Sequence, residues 1–422
     1  MATKKSSLPY YLVVATGIAL CIAPCAMPLS CAGIFYPSIV KYLDVSNATL
    51  ALYMTVLGLS IAVALPFAGK LMEKYDLRIL LSGSVILIGG TLIAMSFFTQ
   101  VWHWYIAGVP LGIGIAFNLY LAVPTLIGRW FKKRVGFFIG LCMAFTGVGG
   151  IIFNSIGGML IASGPEGWRL GYLVFGIVAL VVALPFTLFA IRNFPADKGL
   201  LPYGSDEVLQ EGEAPVAPVM TGVSASKAMR TGPFFALALF AGLATLATVL
   251  FQFLPTYAMT FADTAPAIAG AAAVLASSVM LGQALGKIFL GTVNDKSVYY
   301  GLAIGIVCGL IGFALMWIIP FGLVAILLAG GFIFGIFYAT ATVQVPLMTR
   351  KVFGTREYSS IYSRISTVAA LSAAFGATIW GFLIDVSGFN VVFVIAIALI
   401  ALAGVLGIYV LKAGEKLEHT ES

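Results

Sequence analysis

Apolar runs of about 20 residues or more return along the whole 422-residue chain, and no other feature limits its possible folds so strongly. A hydrocarbon core about 30 Å thick is crossed by about 20 residues of helix, and every backbone polar group within it must be satisfied inside the segment. Twelve such runs can be read, at about 9–37, 47–72, 79–98, 102–127, 136–158, 173–192, 234–257, 265–290, 299–319, 323–347, 358–384 and 391–411. With 61% hydrophobic and 9% charged residues and a mean hydropathy of +1.06, the chain lies far from soluble domains, which carry about 25% charged residues. The sequence therefore predicts an all-α polytopic membrane protein.

The net charge of +7 does not point to nucleic acid, because the cations sit in short loops between apolar spans. With the N-terminus inside, nearly all of them fall on the cytoplasmic face, and only Lys41 and Arg169 fall outside. That bias predicts cytoplasmic termini and a bacterial inner (plasma) membrane. Cys21, Cys25, Cys31, Cys142 and Cys308 all lie in apolar spans, with neither a disulfide framework nor a zinc-ligand spacing. Lys4 and Lys5 precede a run too long for the core of a signal peptide, so it reads as an uncleaved first span. Pro24 and Pro28 predict a bend in it. Trp102, Trp104 and Trp168 are expected in the interfacial aromatic belt.

Hydropathy collapses over 193–233, where Pro, Gly and Ser mix with Asp206, Glu207, Glu211 and Glu213. This predicts an N-terminal six-helix bundle (1–192), a cytoplasmic linker (193–233) and a C-terminal six-helix bundle with a short tail (234–422). Matching positions recur: Gly69 with Gly291, Arg129 with Arg350, and Gly167 with Gly388, each pair 221 or 222 residues apart. Duplicated halves of this kind are a transporter architecture, with the substrate site near the membrane midplane.

Two cations break the apolar pattern. Lys287 stands inside a span, and Arg364 does so shortly after Gly354 and Thr355. A lysine at the bilayer centre costs a few kcal/mol even on lenient scales, so such residues usually face a cavity on an ion or substrate path. The plainer reading is a snorkelling side chain, since Lys287 is eight residues from Asp295 and Arg364 seven from Glu357. Against it, the repeat offset maps Lys287 onto Pro66 and Arg364 onto about Met143, so the first half has no such cations. Asp and Glu are confined to loops, tails and helix ends, and the histidines are His103 and His419. No carboxylate or imidazole remains for a proton relay through mid-membrane. Polar residues at cavity depth are Asn118, Tyr120, Gln252, Tyr257, Gln283 and Tyr338, for each of which packing is the plain alternative.

The stretch GKLMEKYDLR after the second span resembles the loop signature of the major facilitator superfamily. Gly69, Leu71, Glu73, Lys74 and Arg78 fit it, and Asp76 stands where a second glycine is usual. The resemblance implies twelve helices in two pseudo-symmetric bundles and a cytoplasmic latch. To that latch it assigns Gly69, Glu73, Lys74, Arg78, Arg129 and Arg134, with Asp295 and Lys296 as its second copy. RWFKKR before a glycine-rich span, and GKIFLGTVND, are similar to the oxalate-formate antiporter and monocarboxylate porter group. There a basic residue four positions before the motif's glycine contacts the substrate carboxylate, and Lys287 holds that place before Gly291. Tyr358, Tyr362 and Arg364 resemble the tyrosine pair and second cation of the oxalate-type site.

The expected function is secondary transport of small carboxylate anions by alternating access, as exchange. The substrate-binding residues are expected to be Lys287, Arg364, Tyr362, Gln283, Asn118, Tyr120, Tyr338 and Tyr257. A proton-coupled monocarboxylate symporter and an exporter of uncharged solutes or drugs are the alternatives. No enzyme activity, cofactor or metal is expected, and the partners are the anion and the bilayer, with the protein a monomer.

Overall fold

The computed structural model describes residues 7–205, 220–317 and 323–421; Asp206, Glu207, Glu211 and Glu213 of the expected linker lie outside the described residues. The described residues are almost wholly helical, and among them are eleven helices long and apolar enough to cross a membrane. The first ten are α1 (Leu8–Leu43), α2 (Thr49–Lys74), α3 (Leu77–Met95), α4 (Val101–Trp130), α5 (Val135–Ile161), α6 (Gly167–Ala190), α7 (Gly232–Met259), α8 (Val274–Lys296), α9 (Val298–Trp317) and α10 (Val324–Phe353). The last, Tyr358–Gly414, has 57 residues, which at 1.5 Å each is more than twice the thickness of a bilayer core. It breaks at Gly388, whose φ of 74° is open to glycine and strained for other residues. The two parts, 358–387 and 389–414, are α11 and α12, which makes twelve spans. α6 begins at Gly167, earlier than hydropathy alone suggests, because Gly167 to Tyr172 are already wound into the helix.

Chain contacts divide the protein into two compact units, Met1–Thr221 with Glu421–Ser422, and Gly222–Thr420. In the first unit, α2 packs on α4 and α3 on α6. Three of its helices widen locally into π-turns, at Cys21–Cys25 around Pro24, at Ala116–Ala122 just before Pro124, and at Phe186–Ala190 just after Pro185. Each lies beside a proline, whose missing N–H and ring disturb the regular ladder. Residues 200–205 also belong here: Tyr203 N–H donates to Trp130 O at 2.8 Å and Tyr10 Oη to Leu201 O at 2.6 Å.

Trp104 and Trp168 depart from the expected interfacial belt. Both are fully buried with ring centroids 5.8 Å apart, while Trp102 is exposed. Arg169 lies over the Trp168 ring, donates to Ser96 O at 2.8 Å and to Tyr42 Oη at 2.9 Å, and pairs with Glu166. One guanidinium thus joins the ends of α1, α3 and α6.

In the second unit, α10 packs against both α8 and α9, and α7 lies along the 358–414 helix. The crossing of α8 and α10 is close because small residues face each other. A Cβ on Gly282 would run into Phe332 O, one on Gly286 would stand 2.8 Å from Ile336 Cα, and one on Gly335 would stand 2.8 Å from Gln283 N.

Candidate functional site

Lys287 lies on α8 between Gly286 and the end of the helix, and only 3% of it is exposed. Nine residues, about 13.5 Å of helix, separate it from Lys296, so it sits well inside the span. Side chains on a helix lean toward its N-terminus, which directs Lys287 back toward Gln283, one turn earlier. The glycine crossing brings the backbone of Gln283 against Gly335 of α10, one turn before Tyr338. Phe251 of α7 meets the Tyr338 ring edge-on at 5.9 Å. Lys287 and Gln283 stand one turn apart on α8, and Tyr338 lies on α10, the helix packed against it; a cation, an amide and a phenol can each donate to carboxylate oxygens.

The second group is on α11. Tyr362 is buried and stacks on Tyr358 with ring centroids 5.6 Å apart, and the Tyr358 hydroxyl donates to Pro346 O. Arg364 is half-buried, and its Nη1 donates to Ser360 O at 2.6 Å, one turn back on its own helix. α10 packs with both α8 and α11, so Lys287 and Arg364 belong to helices that share a neighbour. The two cations differ: Lys287 is enclosed, whereas Arg364 is partly open and holds its own backbone.

Three other residues were expected at the site. The Tyr257 hydroxyl donates to Met316 O at 3.0 Å, and its ring packs on Phe261, Phe389 and Phe393. Met316 is near the end of α9 farthest from Lys296, which separates Tyr257 from the Lys287 group and accounts for it as packing. Asn118 and Tyr120 are in the first unit, on the π-turn of α4, with Asn118 buried and Tyr120 half-buried. The Ser84 hydroxyl lies 2.8 Å from Leu81 O and 2.7 Å from Asn118 Oδ1, but it has one proton to give. Turning the Asn118 amide over lets its otherwise unpartnered, buried Nδ2 donate to Ser84 Oγ.

At the loop between α2 and α3, Arg129 Nη2 reaches across from the end of α4 to Met72 O at 2.9 Å and to Glu73 Oε2 at 3.4 Å. It thereby satisfies a terminal carbonyl of α2 and complements the negative end of that helix. Asp76 caps α3 by accepting from Arg78 N–H at 2.9 Å and forms a forked pair with the Arg78 guanidinium, its shortest contact 2.6 Å. The Arg78 side chain holds the Asp76 carboxyl below its ordinary pKa. Asn193 Oδ1 accepts from Leu77 N–H at 2.8 Å, and Phe194 lies under the Arg129 guanidinium. Gly69 is buried at the helix end, while Lys74 and Arg134 are exposed. Asp295 and Lys296 are also exposed, and the enclosed polar residue at that turn is Asn294. The sequence reading missed Asp76, Asn193 and Asn294. For Asp76 the signal was present, an acid just before an apolar helical run with an arginine two residues on.

The chain is 30% identical over 154 residues to the glucose-6-phosphate exchanger SLC37A2 of Xenopus laevis, a match covering 35% of this chain and 30% of that protein. It is 37% identical over 112 residues to monocarboxylate transporter 1 of Homo sapiens, covering 26% of this chain and 22% of the relative. These matched stretches take in less than a third of each relative's length. Among solved structures, the fucose:proton symporter FucP of E. coli matches with a TM-score of 0.70 at 16% identity, over 96% of this chain and 98% of the other. The Major Facilitator Superfamily profile matches residues 18–278 and 264–422. Twelve helical spans, that likeness of fold and the profile together place the chain in the Major Facilitator Superfamily of membrane transporters.

Proposed function

We propose that this transporter carries small organic anions bearing a carboxylate, with Lys287 as the main anion contact, and that it works by exchange. The observation that carries the reading is the enclosure of Lys287 within the apolar span α8, with Gln283 one turn away on the same helix. An anion arriving at a buried ammonium is bound by a charge-assisted contact. Tyr362 and Arg364 on α11 supply the second pole, for a dicarboxylate or for the far end of a longer acid. The names of the two relatives, one an exchanger of a phosphorylated sugar and the other a monocarboxylate transporter, fit an anionic cargo.

Purified protein in liposomes should take up labelled oxalate, formate or lactate, and Lys287→Ala should lower the rate more than tenfold, as expected for loss of a charged hydrogen bond worth about 1.5–3 kcal/mol. Uptake by Lys287→Ala at the wild-type rate would remove the proposal.

A further inference from the structure

The turns between α4 and α5 and between α10 and α11 hold equivalent places in the two halves, and the chain that joins the halves attaches to both. Trp130 and Phe353, Phe131 and Gly354, and Arg134 and Glu357 are each 223 residues apart. Arg134 and Glu357 share a left-handed backbone, with φ of 57° and 48°, so the two turns are built alike. In the first unit, Tyr203 N–H donates to Trp130 O at 2.8 Å, Tyr203 O accepts from Lys132 N–H at 2.9 Å, and Tyr203 is bridged to Phe131. In the second unit, Val223 N–H donates to Phe353 O at 2.9 Å and Gly222 is bridged to Gly354. Each attachment meets the carbonyl of its helix's last residue, one of the four that a helix leaves without an internal partner. Both are seated further: Tyr10 Oη donates to Leu201 O at 2.6 Å, Ala225 N–H donates to Glu357 Oε2 at 3.1 Å, and Leu200 and Val223 are only 7% and 1% exposed. Tyr203 and Val223 are 20 residues apart, so they are not a repeat pair, and the bridge is parallel at the first turn and antiparallel at the second. The matching attachments are therefore not copies left by the repeat that made the turns alike.

We propose that the linker is a strap fastened at both ends, and that its attachments at Tyr203 and Val223 hold the α4–α5 and α10–α11 turns so that each helix pair moves as one body during transport. A free tether needs neither buried apolar side chains nor main-chain bonds to the bundles it joins. The chain also approaches the second turn so closely that a Cβ on Gly222 would run into Phe353 O. α10 packs on α8 and α11, the helices of Lys287 and Arg364, and α4 carries Asn118 and Tyr120, so a loosened turn would reach the helices that bear the expected site.

The test uses the full-length protein with Tyr203→Pro and Val223→Pro, which remove the donating N–H, beside Tyr203→Ala and Val223→Ala, which lose the same side chains and keep it. In each proline variant, amide hydrogen exchange at the turn it faces, 131–134 or 354–357, should rise at least about tenfold over its alanine partner. The maximal rate of labelled-oxalate uptake should fall severalfold at an unchanged half-saturating concentration. The alanine variants, and a Gly/Ser insertion after Glu211 between the two attachments, should stay near wild type. Proline variants that take up oxalate at the wild-type rate, or that change only the half-saturating concentration, would overturn the proposal. If the proline variants do not fold, the wild type decides: Tyr203 and Val223 amides protected like those of the adjoining helices support the strap, and amides exchanging as in an unfolded chain reduce it to a tether. The amide measurement needs no cargo, so its outcome is separate from that of the Lys287 reading.

Discussion

Lys287 and Arg364 read alike as letters, and the structure gives them different surroundings. The lysine is enclosed within α8, while the arginine is half-buried and bonded to Ser360 O. Lys287→Arg is expected to retain part of the uptake, since it keeps the charge, although a planar fork replaces a compact ammonium. Arg364→Ala should weaken binding of a dicarboxylate more than that of formate, because a one-carbon acid has no second pole to offer. Competition of each acid against labelled oxalate, compared between wild type and variant, measures this; equal loss for both acids would exclude a selective role. The presence of these cations was legible because a charge stands out in an apolar run. Their unequal burial was not, because hydropathy does not say which face of a helix meets its neighbours. Trp104 and Trp168 show the same limit: their place near helix ends suggested the membrane interface, and the partners that bury them come from elsewhere in the chain.

At the scale of elements, two contacts set the positions of the functional side chains. The crossing of α8 and α10 at Gly282, Gly286 and Gly335 holds the backbone of Gln283 against α10. Gly335→Leu should force the helices apart, destabilising the protein by roughly 1–3 kcal/mol and abolishing uptake even though no polar group is removed. A melting curve and a transport assay on the same sample check both parts. The second contact is the Asp76 cap of α3. Asp76→Ala should cost about 1 kcal/mol, and Asp76→Asn less, because asparagine still caps. The carboxyl's pKa is lowered by the fold, so its contribution is present above the unfolded value of about 3.9 and is lost as pH falls through the lower folded value. The helices themselves were legible from run length. The π-turns, the cap and the attachments of Tyr203 and Val223 were not, because each depends on which atoms of distant segments come together.

At the scale of the whole molecule, the proposed cycle follows from where charge is kept. An occupied site is closer to neutral, whereas an empty one carries Lys287 through a low-dielectric surrounding, a penalty of several kcal/mol. Each 1.4 kcal/mol slows a step about tenfold, so return of the empty carrier should be far slower than return loaded. Acids in the described spans sit at or near helix ends, as Glu73, Asp295 and Asp385 do, which leaves no evident proton path between them. The most direct measurement is efflux of labelled oxalate from proteoliposomes into buffer with and without unlabelled oxalate outside, each at two external pH values. The account predicts efflux accelerated at least tenfold by the external anion and scarcely changed by pH. Fast net efflux into anion-free buffer that follows the proton gradient would contradict exchange and establish proton-coupled symport in its place.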